Sequence, residues 1–447
     1  MSDQGTGDSK ALRKMYSAIH GDHFPPRLIM EFDYDEGRQV LFYEKVTWEL
    51  GGERRGLRYG DNPGQEAAMY RLVNGNLILG DVVTIEPGMR LVSEPDMRQF
   101  GKHPGKTNLT DVDNALNILR YLHDMPACAI MKHNNPCGVA QATSAEEAYL
   151  KADIADRIAA FGGAIVLNRA VDKPTAEAIA QRYAEVVVAP EYEEGTIDVL
   201  AGRKNLRIMQ IRNIERLQDW VGRQYVNFKS LIDGGLILET AFVPKLALEP
   251  GDWKTAEAQH QGKVYRTRAP TVEELVDMKF GWFVEAGVTS NSVIFVKDRA
   301  TVAIGTGEQD RVGVTKIAIG KAQEKYRDAV CWQLSGEEKG LFPDGPVSYD
   351  DLDKMVLTGK DRARAVDLQG LREKCNELTE SANAGLDGSR AVSDAFFPED
   401  DGTRAALMAG ATAIIQPGGS LKDWKSIEAC LEYDAAMIFT GQRSFRH

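Results

Sequence analysis

Residues 127–140 read ACAIMKHNNPCGVA. Five apolar side chains, Ala127 to Met131, end abruptly in Lys132 and His133, and Asn134, Asn135, Pro136 and Gly138 follow as turn formers. A continuous apolar run bounded by turn residues suits a strand covered on both faces. Two further runs lie downstream, GAIVL (163–167) and AEVVVA (184–189). Between them stand TSAEEAYLKADIADRIAAF (143–161) and PTAEAIAQRY (174–183), which read as helices. Thr143 with Glu146, or Ser144 with Glu147, can open the first of these as a capping box. Strand and helix alternate, so the fold class is α/β with a mixed or parallel sheet.

Upstream, residues 1 to about 56 form an extension whose RQVLFYEKVTWEL (38–50) alternates as edge strands or a hairpin. Downstream, LEPGDWKTAEAQHQGKVYRTRAPT (248–271) reads as a connector. A second α/β block follows. TVEELVDMKFGWFVEAGV (271–288) is helical, SVIFVKDRATVAIGTG (292–307) is two strands joined around Lys297-Asp298-Arg299, and ATAIIQPGGS and AAMIFTG are late buried strands. Residues 323–390 are charged and read as a helical insertion. The similar rhythm of the two blocks points to a duplicated unit, divided as 57–250 and 251–447 behind the extension.

The 447 residues, 43% hydrophobic and 27% charged, have ordinary globular composition. A net charge of -12 argues against nucleic acid or an anionic membrane as partner. No apolar run approaches the ~20 residues that span a bilayer. Five scattered cysteines and no export signal point to the cytoplasm. No Cys-x-x-Cys or His-Glu-x-x-His occurs, so no metal is expected.

Polar side chains gather at strand ends, where open α/β sheets bind ligands. The stretches are LRYGDNPGQ (57–65), KHNNPCG (132–138), AFGG (160–163), SNS (290–292), GTGEQDRV (305–312), SDAFFPEDDG (393–402), QPGGS (416–420) and TGQRSFRH (440–447). Taken singly, each is ordinary: a Pro-Gly is a turn, Phe396-Phe397 is core, and Arg58 or Arg443 is a solvated charge. Gly305-x-Gly307 lacks the third glycine of a dinucleotide loop.

As an ordered set, these stretches from residue 57 to 447 resemble the transformylase part of the AICAR formyltransferase/IMP cyclohydrolase family, AICAR being aminoimidazole carboxamide ribonucleotide. The resemblance implies two cytidine-deaminase-like α/β lobes. It implies formylation of the 5-amino group of AICAR by 10-formyltetrahydrofolate as co-substrate in purine (IMP) biosynthesis. It also implies a homodimer with sites near the subunit interface. Only about 56 residues precede the match, so the chain is expected to formylate without closing the ring, a separate IMP cyclohydrolase doing that.

The amine of AICAR is a weak nucleophile. It needs a base for its proton and a positive group for the oxyanion that develops on the formyl carbonyl. His133 matches the base, with an adjacent cation favouring its neutral form, and Lys132 matches the positive group. They converge only if the backbone turns there, because neighbours on a regular strand face opposite ways. The resemblance assigns Arg58 and Arg443 to the phosphate and nucleotide, Asn291 and Arg311 to the carboxamide and nucleotide, and Tyr59, Asn135, Phe161, Gly162 and Glu185 to the substrate pocket. It places Phe396 at the pocket wall, Asp401 near the formyl group, and His447 at the site. Pro398, Gln416 and Pro417 match the folate side.

Three departures stand out. The family's NPHQ is Asn62-Pro63-Gly64-Gln65, its G-A-G-Q-x-S-R is Gly305-Thr306-Gly307-Glu308-Gln309-Asp310-Arg311, and its F-F-P-F-R-D is Phe396-Phe397-Pro398-Glu399-Asp400-Asp401. They add acids where an anionic folate would bind. Rival readings are a purine-nucleotide-binding paralogue without catalysis and a formyltransferase with another donor. A zinc deaminase is disfavoured because Pro136-Cys137 lacks the motif's second cysteine.

Overall fold

The computed structural model describes residues 23–60, 65–83, 88–99, 101–248, 253–358 and 364–447. The tip of the LRYGDNPGQ stretch, with Gly64, lies outside them. The fold is mixed α/β, in two compact units. The first takes the described residues of Met1–Leu116, Met131–Asn134 and Gly162–Val243, and the second takes Asn117–Ile130, Asn135–Phe161 and Pro244–His447.

In the first unit, strands Ala164–Leu167, Val186–Ala189 and Arg207–Gln210 pair in parallel, and Asp96–Gln99 closes their edge antiparallel. Every residue of the three parallel strands is buried, as the unbroken apolar runs of the first two require, and the third buries Arg207 and Gln210 with its apolar pair. Helices Lys173–Ala180 and Thr196–Ala201 make the crossovers. The expected N-terminal hairpin is present: Arg27–Tyr34 pairs with Gly37–Lys45, and Tyr70–Gly75 adds a third strand.

In the second unit, strands Ala413–Gln416 and Ala436–Phe439 run parallel beside Arg390–Ser393, which pairs antiparallel with Val293–Lys297. Val293–Lys297 forms a hairpin with Ala300–Gly305, and Ala300–Gly305 neighbours Asn135–Gln141 antiparallel. Helices Val272–Glu285, Asp401–Met408 and Asp423–Glu432 belong to this unit. The expected 323–390 insertion is helical, but it begins inside a continuous helix, Arg311–Glu337, which packs with Tyr349–Thr358 and Ala365–Ser381 over Cys331, Leu352, Leu368 and Cys375.

The decisive stretch folds differently from its reading in one respect. The turn is not Asn-Asn-Pro-Cys-Gly but two residues, His133 and Asn134, between strands Ala127–Lys132 and Asn135–Gln141. Both have positive φ, 55° and 63°, the signature of a type I′ hairpin turn. Pro136 is tolerated as the second residue of its strand. Gly138 is required by packing: a Cβ there would sit 2.0 Å from the Ala152 carbonyl oxygen. Helix Ala145–Ala155 therefore lies directly on the strand backbone. That helix is capped by Ser144, whose Oγ accepts the Glu147 amide at 3.1 Å. The Glu147 carboxylate reaches past the cap to the Thr143 amide and hydroxyl, at 3.1 and 2.7 Å.

Candidate functional site

The candidate residues of the first unit are Arg58, Tyr59, Lys132, His133, Gly162 and Glu185. Lys132 is half-buried at its strand end, and His133 is exposed on the turn. Positive φ at His133 ends the up-down alternation, so the pair need not face opposite ways. Helix Lys106–Leu119 holds the turn from below. Asp111 Oδ1 accepts the Asn134 amide at 2.5 Å, and Asn114 Nδ2 donates to the Asn134 carbonyl at 2.9 Å. Asp111 is buried, and that burial holds its carboxyl above the ordinary aspartate value against the pull of the Asn134 and His133 amides. Asp111 and Asn114 were not foreseen. In the sequence they are two of several polar residues in this helix, and nothing there singles them out.

A second cluster in this unit is cationic. The Arg58 amide donates to the Pro104 carbonyl and the Lys106 amide to the Tyr59 carbonyl, both at 3.1 Å, which docks the LRYG segment on the helix start. The Arg58 guanidinium lies 4.3 Å from the Tyr59 ring centroid and donates to its hydroxyl at 2.5 Å. Glu185 accepts Asn108 Nδ2 at 2.9 Å and lies 3.6 Å from buried Arg207. Burial, then the charges of Arg55, Arg207 and Arg58, hold the buried His103 imidazole below its ordinary value. Several guanidiniums acting on one point make an environment suited to an anion. Arg207 was missed, although a charge inside the buried strand Arg207–Gln210 is itself a signal. Gly162 has φ 76°, and a Cβ there would touch the Tyr183 ring at 3.4 Å.

The second unit holds Asn135, Phe161, Asn291, Arg311, Phe396, Pro398, Asp401, Gln416, Pro417, Arg443 and His447. Arg311, the first residue of its helix, is the centre of one group. Its Nη2 donates to Asn291 Oδ1 at 2.8 Å, and its Nη1 to the Ser292 carbonyl at 2.9 Å, the Ser393 hydroxyl at 3.2 Å and buried Asp394. Asn291 Nδ2 donates to the Glu308 and Gln309 carbonyls at 2.9 and 3.0 Å. Asn135 Oδ1 accepts the Thr289 amide at 2.9 Å and the Thr306 hydroxyl at 3.3 Å.

The C-terminal segment is bound to the same backbone. Ser290 donates its amide to the Arg446 carbonyl at 2.9 Å, the Arg446 amide donates to Ser290 Oγ at 3.1 Å, and the Ser444 amide donates to the Asp394 carbonyl at 2.9 Å. Exposed Arg443 and His447 flank this tie, both against Phe445. Phe161, Phe396, Pro398 and Asp401 are exposed. Gln416 is not: it is fully buried, and its Oε1 accepts the Phe397 amide at 3.1 Å. It shapes the Phe396–Pro398 loop from behind, next to buried Pro417.

The four acids that depart from the family pattern have local partners. Asp310 caps the Arg311–Glu337 helix, accepting the Gly313 amide at 2.6 Å, and Glu308 accepts the Gln309 amide at 2.8 Å. Glu399 pairs with Lys422 and Lys425, and Asp400 with Arg404. Among the described residues, no group of three or more His, Cys, Asp or Glu could hold a metal ion, and no helix is long and apolar enough to cross a membrane.

Comparison with known proteins gives the chain's family. A family profile described as AICARFT/IMPCHase bienzyme matches residues 30–321. The chain is 36% identical over 395 residues to the bifunctional purine biosynthesis protein PurH of Cereibacter sphaeroides, covering 88% of this chain and 59% of that protein. It is 34% identical over 413 residues to PurH of Chlorobaculum parvum, covering 92% and 62%, and 33% identical over 415 residues to PurH of Magnetococcus marinus, covering 92% and 63%. The chain thus spans about three fifths of the length of the curated relatives it matches. With the profile spanning more than half of its residues, the chain belongs to the AICARFT/IMPCHase bienzyme family.

Proposed function

We propose that this chain transfers a formyl group from 10-formyltetrahydrofolate to the 5-amino group of AICAR, the formylation step of purine synthesis. The observation that carries the reading is the Lys132–His133 pair where a strand enters a two-residue turn that Asp111 and Asn114 pin from beneath. The amine nitrogen attacks the formyl carbon, and His133 takes the proton the amine sheds. The Lys132 ammonium stabilises the oxyanion that forms on the formyl oxygen. Collapse of that intermediate breaks the bond to folate N10, which leaves with a proton returned through the pair. The charge on Arg58, beside Arg55 and Arg207, suits the nucleotide phosphate. Asn291 and Arg311 take the carboxamide side of the nucleotide, and Phe396, Pro398 and Asp401 the formyl and folate side. Gln416 and Pro417 act through the loop they support. The relatives are named bifunctional, so ring closure to IMP is a second activity to be read in the same assay.

The test follows tetrahydrofolate formation with AICAR and 10-formyltetrahydrofolate, and identifies products by mass as formyl-AICAR or IMP. The control is His133→Asn, which keeps a residue that accepts the left-handed turn. Turnover is expected in the wild type and a loss of about 10²–10⁴ in kcat in the variant. An inactive wild type that still binds AICAR by calorimetry would replace this reading with that of a nucleotide-binding paralogue.

A further inference from the structure

Glu285 ends helix Val272–Glu285 and has no role in the chemistry above, yet it is 0% exposed. Ser292 Oγ donates to its Oε1 at 2.6 Å. Its Oε2 has no hydrogen-bond partner among the described residues. Beside it stands a second carboxyl, Asp394, also 0% exposed, whose Oδ2 accepts the Ser292 amide at 3.2 Å and whose Oδ1 pairs with Arg311. The site therefore contains two buried carboxyls and one guanidinium. Were both acids ionised, one negative charge would be left uncompensated in a site closed to water, at a cost of several kcal/mol. The hydrogen bonds say which acid carries the charge. Arg311 donates to Asp394, to Ser292, to Ser393 and to Asn291, and none of these bonds reaches Glu285.

We propose that Glu285 is a positioning residue that stays protonated, with Oε1 accepting from Ser292 and Oε2 carrying the proton, so that Asp394 keeps its charge for Arg311 and Arg311 holds the Asn291 carboxamide. The inference rests on the reading that Asn291 and Arg311 bind the nucleotide. The charged groups facing Glu285 are Asp394 and Arg311. Burial first, and the Asp394 charge second, push its carboxyl well above the ordinary glutamate value, while Ser292, Arg311 and the Asp394 amide pull the other way. Ionising Glu285 at high pH places a second anion beside Asp394. The two then compete for Arg311, and the grip on Asn291 loosens.

Three measurements on the full chain test this. The wild type should show the infrared carbonyl stretch of a protonated carboxyl near neutral pH, and Glu285→Gln should lack it. Glu285→Gln, a neutral acceptor of the same shape, should keep KM for AICAR within about 2-fold, whereas Glu285→Ala should raise KM about 10-fold with little change in kcat, the pattern of lost uniform binding. Wild-type KM should climb at alkaline pH and that of Glu285→Gln should not. Circular dichroism and melting of both variants separate unfolding from mispositioning. If the wild type is inactive, AICAR affinity by calorimetry replaces KM, so failure of the proposed reaction stays distinct from failure of this inference. Absence of the infrared band, a Glu285→Gln variant as impaired as Glu285→Ala, or a Glu285→Ala variant with lower melting but wild-type affinity would each overturn it.

Discussion

Two hairpins in this chain turn in the same way. In one unit His133 and Asn134 adopt φ of 55° and 63°; in the other Asp298 and Arg299 adopt 52° and 54°. Each turn is held by a buried aspartate on a preceding helix. Asp111 accepts the Asn134 amide at 2.5 Å, and Asp277 accepts the Asp298 and Arg299 amides at 3.0 and 2.8 Å. In each hairpin the second strand also carries a glycine against a helix backbone: a Cβ on Gly138 would lie 2.0 Å from the Ala152 carbonyl oxygen, and one on Gly305 would lie 2.4 Å from that of Val314. The scaffold is repeated, but the side chains are not. One turn presents lysine, histidine and asparagine. The other presents Asp298 and Arg299, with Arg390 3.4 Å from Asp277 beneath. The comparison separates what a turn needs in order to form from what it needs in order to act.

The largest effect should be shared by both hairpins. Gly138→Ala and Gly305→Ala each force a methyl into a helix carbonyl and should cost about 3 kcal/mol or more in urea unfolding. A mild phenotype in one alone would break the equivalence. The aspartates should divide. Asp111→Ala and Asp277→Ala each orphan turn amides, at about 1–3 kcal/mol, but only Asp111→Ala should also lower kcat, by about 10-fold or more if the turn sets the geometry of His133. Equal loss of turnover from both would mean that the second turn also serves the chemistry.

Smaller effects lie in pH. The folded His103 value lies below its ordinary 6.5, so the stability it confers is present above that value and is lost as pH falls through it. His103→Gln should flatten the acid side of a plot of Tm against pH, beginning near 6.5. Smallest is Glu147. Its hydroxyl bond from Thr143, then Lys151, draws its carboxyl down to about 2. Its contribution is present above the ordinary 4.5 and disappears as pH falls toward 2, and Glu147→Gln should remove that slope alone. Because the group is exposed, the change should be at the edge of detection.

The apolar runs were legible because strands covered on both faces are built mainly from apolar residues. GAIVL and AEVVVA fold as read, with every residue of strands Ala164–Leu167 and Val186–Ala189 buried. Pairing direction was not legible, since an apolar run looks the same in a hairpin and in a crossover. The turn was misread for a local reason. His133-Asn134 lacks the Asn-Gly pattern that marks type I′ turns, and Pro136 and Gly138 drew attention to what is strand. The candidate site came from ordered short motifs rather than from any single residue. Motif reading could not foresee that Gln416 would be fully buried, because accessibility depends on packing against Phe397. It also passed over Asp111, Arg207 and Glu285, charges whose burial is set by packing rather than by any short motif. Buried charges need structural partners, and those of Asp111 and Arg207 are distant in the chain.

The left-handed backbone at residue 133 has a consequence for anyone sampling sequence space there. A saturation library at that position measures two selections at once. Asparagine, aspartate and glycine enter the turn readily and report on the proton transfer proposed for His133 alone. Alanine pays about 1–2 kcal/mol of backbone strain, and valine, isoleucine and threonine more, so their activities mix lost chemistry with a displaced loop. The ranking of variants would then follow turn propensity through most of its range, and the chemical signal would emerge only among the few residues that fit.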